Sequence, residues 1–326
     1  MPKYKRIKLI NLSPLHLGRG TDYYDLSATD LSSDTLTSAL ASVLARQGNA
    51  DRIKNLLESF VLSSAFPFYK GHYFLPKVNG RISVYIEGHD EAEYRKRLKK
   101  IKFIEDSLWT EILCSKSAVK INENQIKDEY LLARGETDFK NPIVKNVVQR
   151  VMVPRDNARE SEPFYFEWNY FRKDGGLYCL MDAKETENEV LCLFRSLGDF
   201  GIGSDKNIGG GHFNVAYDDV SLESVAEGNA KIILSTYIPT KEELEAIDLD
   251  NSKYFLLKRG GFMAGSSEES LQHLHRKNVY MFSAGSLFYT KTHLQGTIAD
   301  VTPDWNNNSM HRVYRSGRAL CISINV

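Results

Sequence analysis

Only four cysteines occur in the 326 residues (Cys114, Cys179, Cys192 and Cys321), and no two of them form a C-x-x-C pair. That argues against a zinc site or a disulfide framework, and a reducing cytoplasm is the expected compartment. Net charge is lacking as well, because 42 basic residues balance 42 acidic ones. A polyanion would therefore have to be met by a local patch, not by the surface as a whole. No apolar run approaches the length of a membrane span. The start, MPKYKRIKLINLSPLHLG, lacks the apolar core of a signal peptide, so no membrane partner is expected. Nucleotide signatures are missing too. The stretch GIGSDKNIGGGHF (residues 201–213) contains no Gly-Lys-Ser/Thr, and Lys206 stands where a G-x-G-x-x-G motif needs its third glycine. No cofactor is implied.

What this stretch does contain is five glycines in thirteen residues. Glycine loses the most backbone freedom on folding, so ordering such a segment is unfavourable unless something close-fitting results. Peptide N–H groups freed of side chains can line up on phosphate oxygens. The stretch follows a helical pattern and enters a strand, the reverse of the strand-to-helix order of nucleotide loops. With Lys206, Asn207 and His212 inside it, it suits an extended sugar–phosphate backbone. A long glycine turn joining two elements has the same composition, and composition alone does not separate the two.

Element patterning predicts an α+β chain with antiparallel sheets. A strand covers residues 4–11. A helix opens at SSDTLTSALASVLARQG, with Ser33 as N-cap, Asp34 in the first turn against the dipole and Gly48 as the C-terminal stop. A second helix covers ADRIKNLLESFVLSSA, and GHYFLPKV is a strand ending at Pro76. Tyr94, Leu98, Ile101, Phe103, Ile104, Leu108 and Ile112 predict one helix over 91–114. PFYFEWNYF and LYCLMDA, joined by RKDGG, predict a hairpin. A helix ending in the glycine stretch and the strand HFNVAY follow. After a small, polar stretch near 221–230, KIILSTYI, a helix capped by Thr240 and further strands complete the chain.

Basic residues cluster in two other places. Arg150, Arg155 and Arg159 lie on an expected β-hairpin insertion at about 135–162, interleaved with Asp156, Glu160 and Glu162. Arginine forks suit phosphates and stack on bases; a solvated, salt-bridged hairpin is the alternative. Arg259, Arg312, Arg315 and Arg318 form a second cluster with glycines, open between RNA or partner contact and structural turns. His273 and His275 have no third ligand nearby, which disfavours a metal site. Phe66 and Phe68 are assigned to the core, and Tyr23 and Tyr24 are left open as stacking candidates.

Several stretches, taken in order, resemble one family. LSPLHLGRG (12–20), SSDTLTSAL (32–40), SSAFPF and YFLPK (63–77), LGDFGIGSDKNIGGGHF (197–213), SAGSLF (283–288) and HRVYRSGRAL (311–320) are similar to the RAMP superfamily of CRISPR-associated proteins. Within it they are similar to the type III-A (Csm) subunit that holds the 5′ handle of CRISPR RNA (crRNA). Residues 85–130 and the insertion match least. The resemblance implies two ferredoxin-like (RRM-like) domains, at 1–222 and 228–326. It implies a non-catalytic RNA-binding subunit in antiviral defence. Its partners would be crRNA, a large polymerase-like subunit and the backbone RAMP filament, with target RNA nearby. The implied RNA-binding set is His16, Gly18, Arg19, Arg150, Arg155, Arg159, Gly201, Gly203, Lys206, Asn207, Gly209, Gly210, Gly211 and His212. The alternative is a metal-independent repeat endoribonuclease with His16 as general acid–base. No second group is placed with His16 in the sequence to complete such a site. A phosphate-binding metabolic protein is a distant third, since the nucleotide motifs fail. Asp34 is assigned to capping, not to target cleavage.

Overall fold

In a computed structural model the described residues are 2–325 except 19–25, 81, 87, 89–90, 116, 137, 155–159, 226, 264–270, 272 and 305–310. The chain is a mixed α+β structure dominated by antiparallel sheets. Its largest sheet runs, edge to edge, through the strands Asn214–Ser221, Lys3–Ile10, Gly175–Ala183, Phe66–Tyr69, His72–Pro76, Phe103–Glu105, Tyr130–Leu131 and Ile126–Lys127. A ninth short strand, Phe60–Leu62, pairs with the far end of Gly175–Ala183.

Period-two alternation on the central strand decides how the layers stack. Leu177, Cys179 and Met181 face one way with Ile7 and Leu9, and there they meet Leu36 and Leu40 of helix α1 (Ser33–Arg46) and later Phe194. Tyr178 and Leu180 face the other way, toward Phe66, Ile232 and Ile322. Both faces are covered, so Leu177–Met181 is buried without interruption. The second cover is a four-stranded sheet from the C-terminal part, in the order Asp248–Lys253, Leu287–Tyr289, Ala230–Ile233 and Cys321–Ile324.

Three local expectations are corrected. After α2 (Ile53–Ser59), Phe60–Leu62 is strand, not helix. The helix expected over 91–114 is two, α3 (Glu91–Lys100) and α4 (Asp106–Cys114), separated by the strand Phe103–Glu105. That strand pairs with Leu75 and its neighbours on one side and Tyr130–Leu131 on the other, and these sheet bonds outweigh a helical period that Phe103 and Ile104 only approximated. The strands flanking RKDGG do not pair with each other. Gly175–Ala183 already has neighbours on both edges, so Glu162–Phe171 pairs with Ile143–Met152 instead.

α1 begins one residue earlier than expected at its cap. Ser32 is the N-cap, and Asp34 is not a capping or solvent-facing group. Its carboxylate is wholly buried and receives the Arg259 guanidinium at 2.9 Å, the Arg315 guanidinium, and the Thr236 hydroxyl at 3.3 Å. Arg259 also reaches Ser32 and Thr35. Burial alone would raise the Asp34 pKa, but the two guanidiniums hold it below the usual carboxylate range. Arg259 and Arg315 are therefore internal ties between the start of α1 and the C-terminal part. Arg318 likewise bonds the Glu58 carbonyl, and Arg312 pairs with Asp300. Helix α5 (Glu187–Phe200) delivers the chain to the glycine stretch, and α6 (Lys241–Ala246) has the expected N-cap at Thr240, which forms a capping box with Glu243. No helix among the described residues is long and apolar enough to cross a membrane.

Candidate nucleic-acid interface

Three segments converge at the C-terminal end of α5. The first is Ser13–Gly18, just past the first strand. The second is the inner strand of the protruding hairpin, Glu162–Phe171. The third is the glycine loop. Leu15 and Asn169 exchange two backbone hydrogen bonds of 2.9 Å, which locks the first segment to the hairpin. The loop then lies on both. The Ser204 N–H donates to the His16 carbonyl at 3.0 Å, the Gly211 N–H to that of Pro14 at 2.9 Å, and the Ser13 N–H to that of His212 at 2.8 Å. The His212 N–H donates to the Ser13 hydroxyl at 2.7 Å.

The glycines serve this self-packing. A Cβ on Gly203 would stand 2.4 Å from the His16 carbonyl oxygen, and one on Gly211 would stand 1.8 Å from that of Ile202. Both have positive φ, at +85° and +68°, where an L side chain is strained. Gly210 lies against the Trp168 ring. The N–H groups of Gly201, Gly209, Gly210 and Gly211 all donate within the chain, to Leu197, Lys206, Asp205 and Pro14. Those four are thus not the phosphate cradle that the composition suggested. The N–H groups of Gly203, Asp205, Lys206 and Asn207 do have no acceptor among the described residues. They sit in the outer half of the loop, where Ser204, Asn207, Ile208 and Gly209 are exposed. A rigid base and a polar crest with free donors is the result.

The remaining predicted residues fall into three groups. Arg150 joins the site: its guanidinium bonds Asp205 of the loop at 2.5 Å and lies 4.2 Å from the Phe166 ring centre and 5.3 Å from that of Trp168. Lys206 is half-buried beside the crest; burial, then the nearby Arg46 charge, pulls its pKa below the usual lysine value. His212 is turned back onto the Lys206 carbonyl at 3.1 Å. His16 is only 1% exposed. Its Nδ1–H donates to the Glu167 carbonyl at 2.8 Å, and its ring lies 4.2 Å from that of Phe166. The imidazole props the loop from below and does not reach the surface. Gly18 forms an antiparallel bridge to Ser27. Arg19, Arg155, Arg159, Tyr23 and Tyr24 lie outside the described residues.

Glu167, Trp168, Asn169 and Ser27 complete the support, and sequence reading missed them as such. The buried Glu167 carboxylate accepts from the Ser27 N–H at 2.6 Å and from Lys145 at 3.2 Å, and the Asn169 amide donates to the Ser27 hydroxyl at 2.9 Å. The run FEWN carried a signal, a charged and an amide residue amid aromatics in a strand buried from Phe166 to Asn169.

A sequence model of the CRISPR Csm4 C-terminal domain matches residues 226–324. A protein described as "CRISPR system Cms protein Csm4", from Thermococcus onnurineus (strain NA1), is 24% identical over 299 residues, spanning 88% of this chain and 90% of the relative. The chain is thus similar to Csm4 proteins, through the family match in its C-terminal part and through one relative over most of its length. Solved structures share its fold from end to end. One is a Csm1–Csm4 cassette in complex with cA4, at 20% identity, TM-score 0.62, covering 99% of this chain and 98% of that one. Another is a Csm3–Csm4 subcomplex of a type III-A interference complex, at 22% identity, TM-score 0.60, covering 99% and 100%. The likeness extends through residues 85–130, where sequence resemblance was weakest.

Proposed function

We propose that this chain is the type III-A effector subunit that holds the 5′ handle of crRNA on the glycine-loop face. It would join the large polymerase-like subunit to the backbone RAMP filament, in the cytoplasm and without cutting RNA itself. The observation that carries this reading is the crest of the loop. Free N–H groups at Gly203, Asp205, Lys206 and Asn207, with the Lys206 ammonium, are the donors an RNA backbone requires. The base that the hairpin, His16 and Trp168 provide keeps them in place before RNA arrives, which limits the ordering entropy of binding. The Csm1–Csm4 and Csm3–Csm4 assemblies of the fold relatives support two protein partners for the same subunit. Two ferredoxin-like units, 1–222 and 228–326, fit the break between the strands Asn214–Ser221 and Ala230–Ile233. Burial of His16 favours a holding role over cleavage, because a general acid–base must reach the 2′-OH.

The test pairs two measurements. RNA released from the tagged full chain, purified with its partners, should share one fixed 5′ end. Lys206→Ala with Asn207→Ala should weaken binding of a handle-bearing RNA by about tenfold, the loss expected for charge-assisted contacts. Random 5′ ends, or unchanged affinity in the double variant, would remove the assignment.

A further inference from the structure

The densest charge in this neutral chain is not at the glycine loop. α3 carries Arg95, Lys96, Arg97, Lys99 and Lys100, and Lys102 follows it. Tyr94 of the helix and Ile101, just past its end, are 5% and 1% exposed and belong to the core. The cations therefore occupy the solvent side. Arg97 pairs with Glu123 at 2.5 Å and Lys102 with Glu129 at 2.7 Å. Arg95, Lys96, Lys99 and Lys100 have no ion pair among the described residues. Arg95 and Lys99, like Lys96 and Lys100, stand four apart, a spacing at which like charges weaken a helix. The helix dipole favours cations in the last turn, but six in nine residues go beyond what it accounts for.

A polar cleft of about 310 Å³ lies beside this face. Arg97, Lys100, Lys127, Phe139 and Asn141 line it, with Asp128 as its one acid; the half-buried Phe139 ring also packs against Tyr69, Phe74 and Tyr130. An adjoining hollow adds Asn122, Asn124 and the acid Glu123, the ion-pair partner of Arg97. Cations, amides and an aromatic ring are the groups that meet a phosphate, a base edge and a base face. The strand Ile126–Lys127 forms the sheet edge opposite Asn214–Ser221, the strand that leaves the glycine loop. Seven strand spacings separate these edges, on the order of 30 Å.

We propose that α3 and its cleft form a second RNA site, separate from the glycine loop. The helix cations would hold the phosphodiester backbone of single-stranded RNA, with one nucleotide seated by Phe139 and Asn141. A membrane surface does not fit, because the helix has no apolar face left to insert. An acidic protein face would match the charge, but it would not use the amide-and-ring cleft.

The full chain can be titrated with fluorescein-labelled oligouridine at several salt concentrations. Combining Lys96→Glu, Lys99→Glu and Lys100→Glu should weaken binding at least tenfold. It should also make the slope of log K against log salt shallower by about 2, the value for three phosphate contacts on a single strand. All three side chains are exposed, so the thermal midpoint should stay put. 4-Thiouridine crosslinks should map to residues 94–102, 122–128 and 139–141, persist in Lys206→Ala and vanish in the triple variant. Unchanged affinity and slope would overturn the site, as would crosslinks confined to the glycine loop. A triple variant that binds RNA normally but loses a partner protein would assign the patch to protein docking instead. Failure of the handle assignment, read in Lys206→Ala and Asn207→Ala, leaves this result independent.

Discussion

Replacing Asp34 with alanine is expected to destabilise the chain by about 3–5 kcal/mol, the typical effect of removing one partner from a buried ion pair. The carboxylate is the only acid among the described residues that pairs with either Arg259 or Arg315. Without it, Arg315, whose side chain is 4% exposed, keeps a buried charge with no counter-ion. Arg276 stands close enough to feel the same charges. Burial, then repulsion from Arg315, pushes its pKa down to about 10 even with Asp34 present. Thermal unfolding of Asp34→Ala should show a midpoint roughly 5–10 °C lower. Because the bonds join α1 to the C-terminal part, limited proteolysis should release that part more readily. If the midpoint moves by less than a degree, the cluster is not a structural tie.

The same residue gives a pH signature of known sign. Its folded pKa is lowered, so its contribution is complete above the unfolded carboxyl value of about 4. It is lost as pH falls through the lower, folded value. The stability gap between wild type and Asp34→Asn should thus be constant at neutral pH and close progressively in acid below about pH 4. A gap that widens in acid would mean the carboxyl is protonated in the native protein. Substituting Asp34, Arg259 and Arg315 together by apolar residues should recover much of the loss, since buried ion pairs are seldom better than good apolar packing.

Asp34 also shows where sequence reasoning reaches its limit. Its place three residues into SSDTL fits dipole compensation, a local cause visible in the sequence. Its partners lie 225 and 281 residues away, and no spacing rule connects them. Locally determined features were legible: the Thr240 N-cap, the stop at Gly48, the strand ending at Pro76. Features set by competition between distant strands were not. RKDGG has turn chemistry, and a turn is there, with Asp174 at φ 65°. Whether its flanks pair depends on Lys3–Ile10 and Phe66–Tyr69 occupying both edges of the second strand. The composition of the glycine stretch fits a ligand loop and a plain turn alike, and its place in order among the other stretches carries the family resemblance. That its glycines pack against His16, Ile202 and Trp168 is a three-dimensional fact with no trace in composition.

That distinction yields the sharpest expectation for the site. Gly203→Val should abolish handle binding, by a hundredfold or more, while the rest of the fold survives. The substitution places a β-branched side chain at φ +85°, where even an ordinary residue is strained by about 1–2 kcal/mol. It also drives Cβ to 2.4 Å from the His16 carbonyl, which accepts the Ser204 N–H. The crest must then lift off its base, and the free donors at Asp205, Lys206 and Asn207 lose their fixed geometry. The two large cores lie beneath the sheet and helices, so circular dichroism should change little while protease cutting within 201–213 rises. Gly209→Ala is the contrasting case. Its φ is +93°, but nothing lies within 4 Å of the added Cβ. If the glycines matter for internal packing, Gly209→Ala should weaken binding only a few-fold. If they matter because RNA approaches their backbone, the exposed Gly209 should be the more sensitive of the two. Measuring handle affinity of both variants side by side decides between a loop shaped by its own protein and one shaped by its ligand.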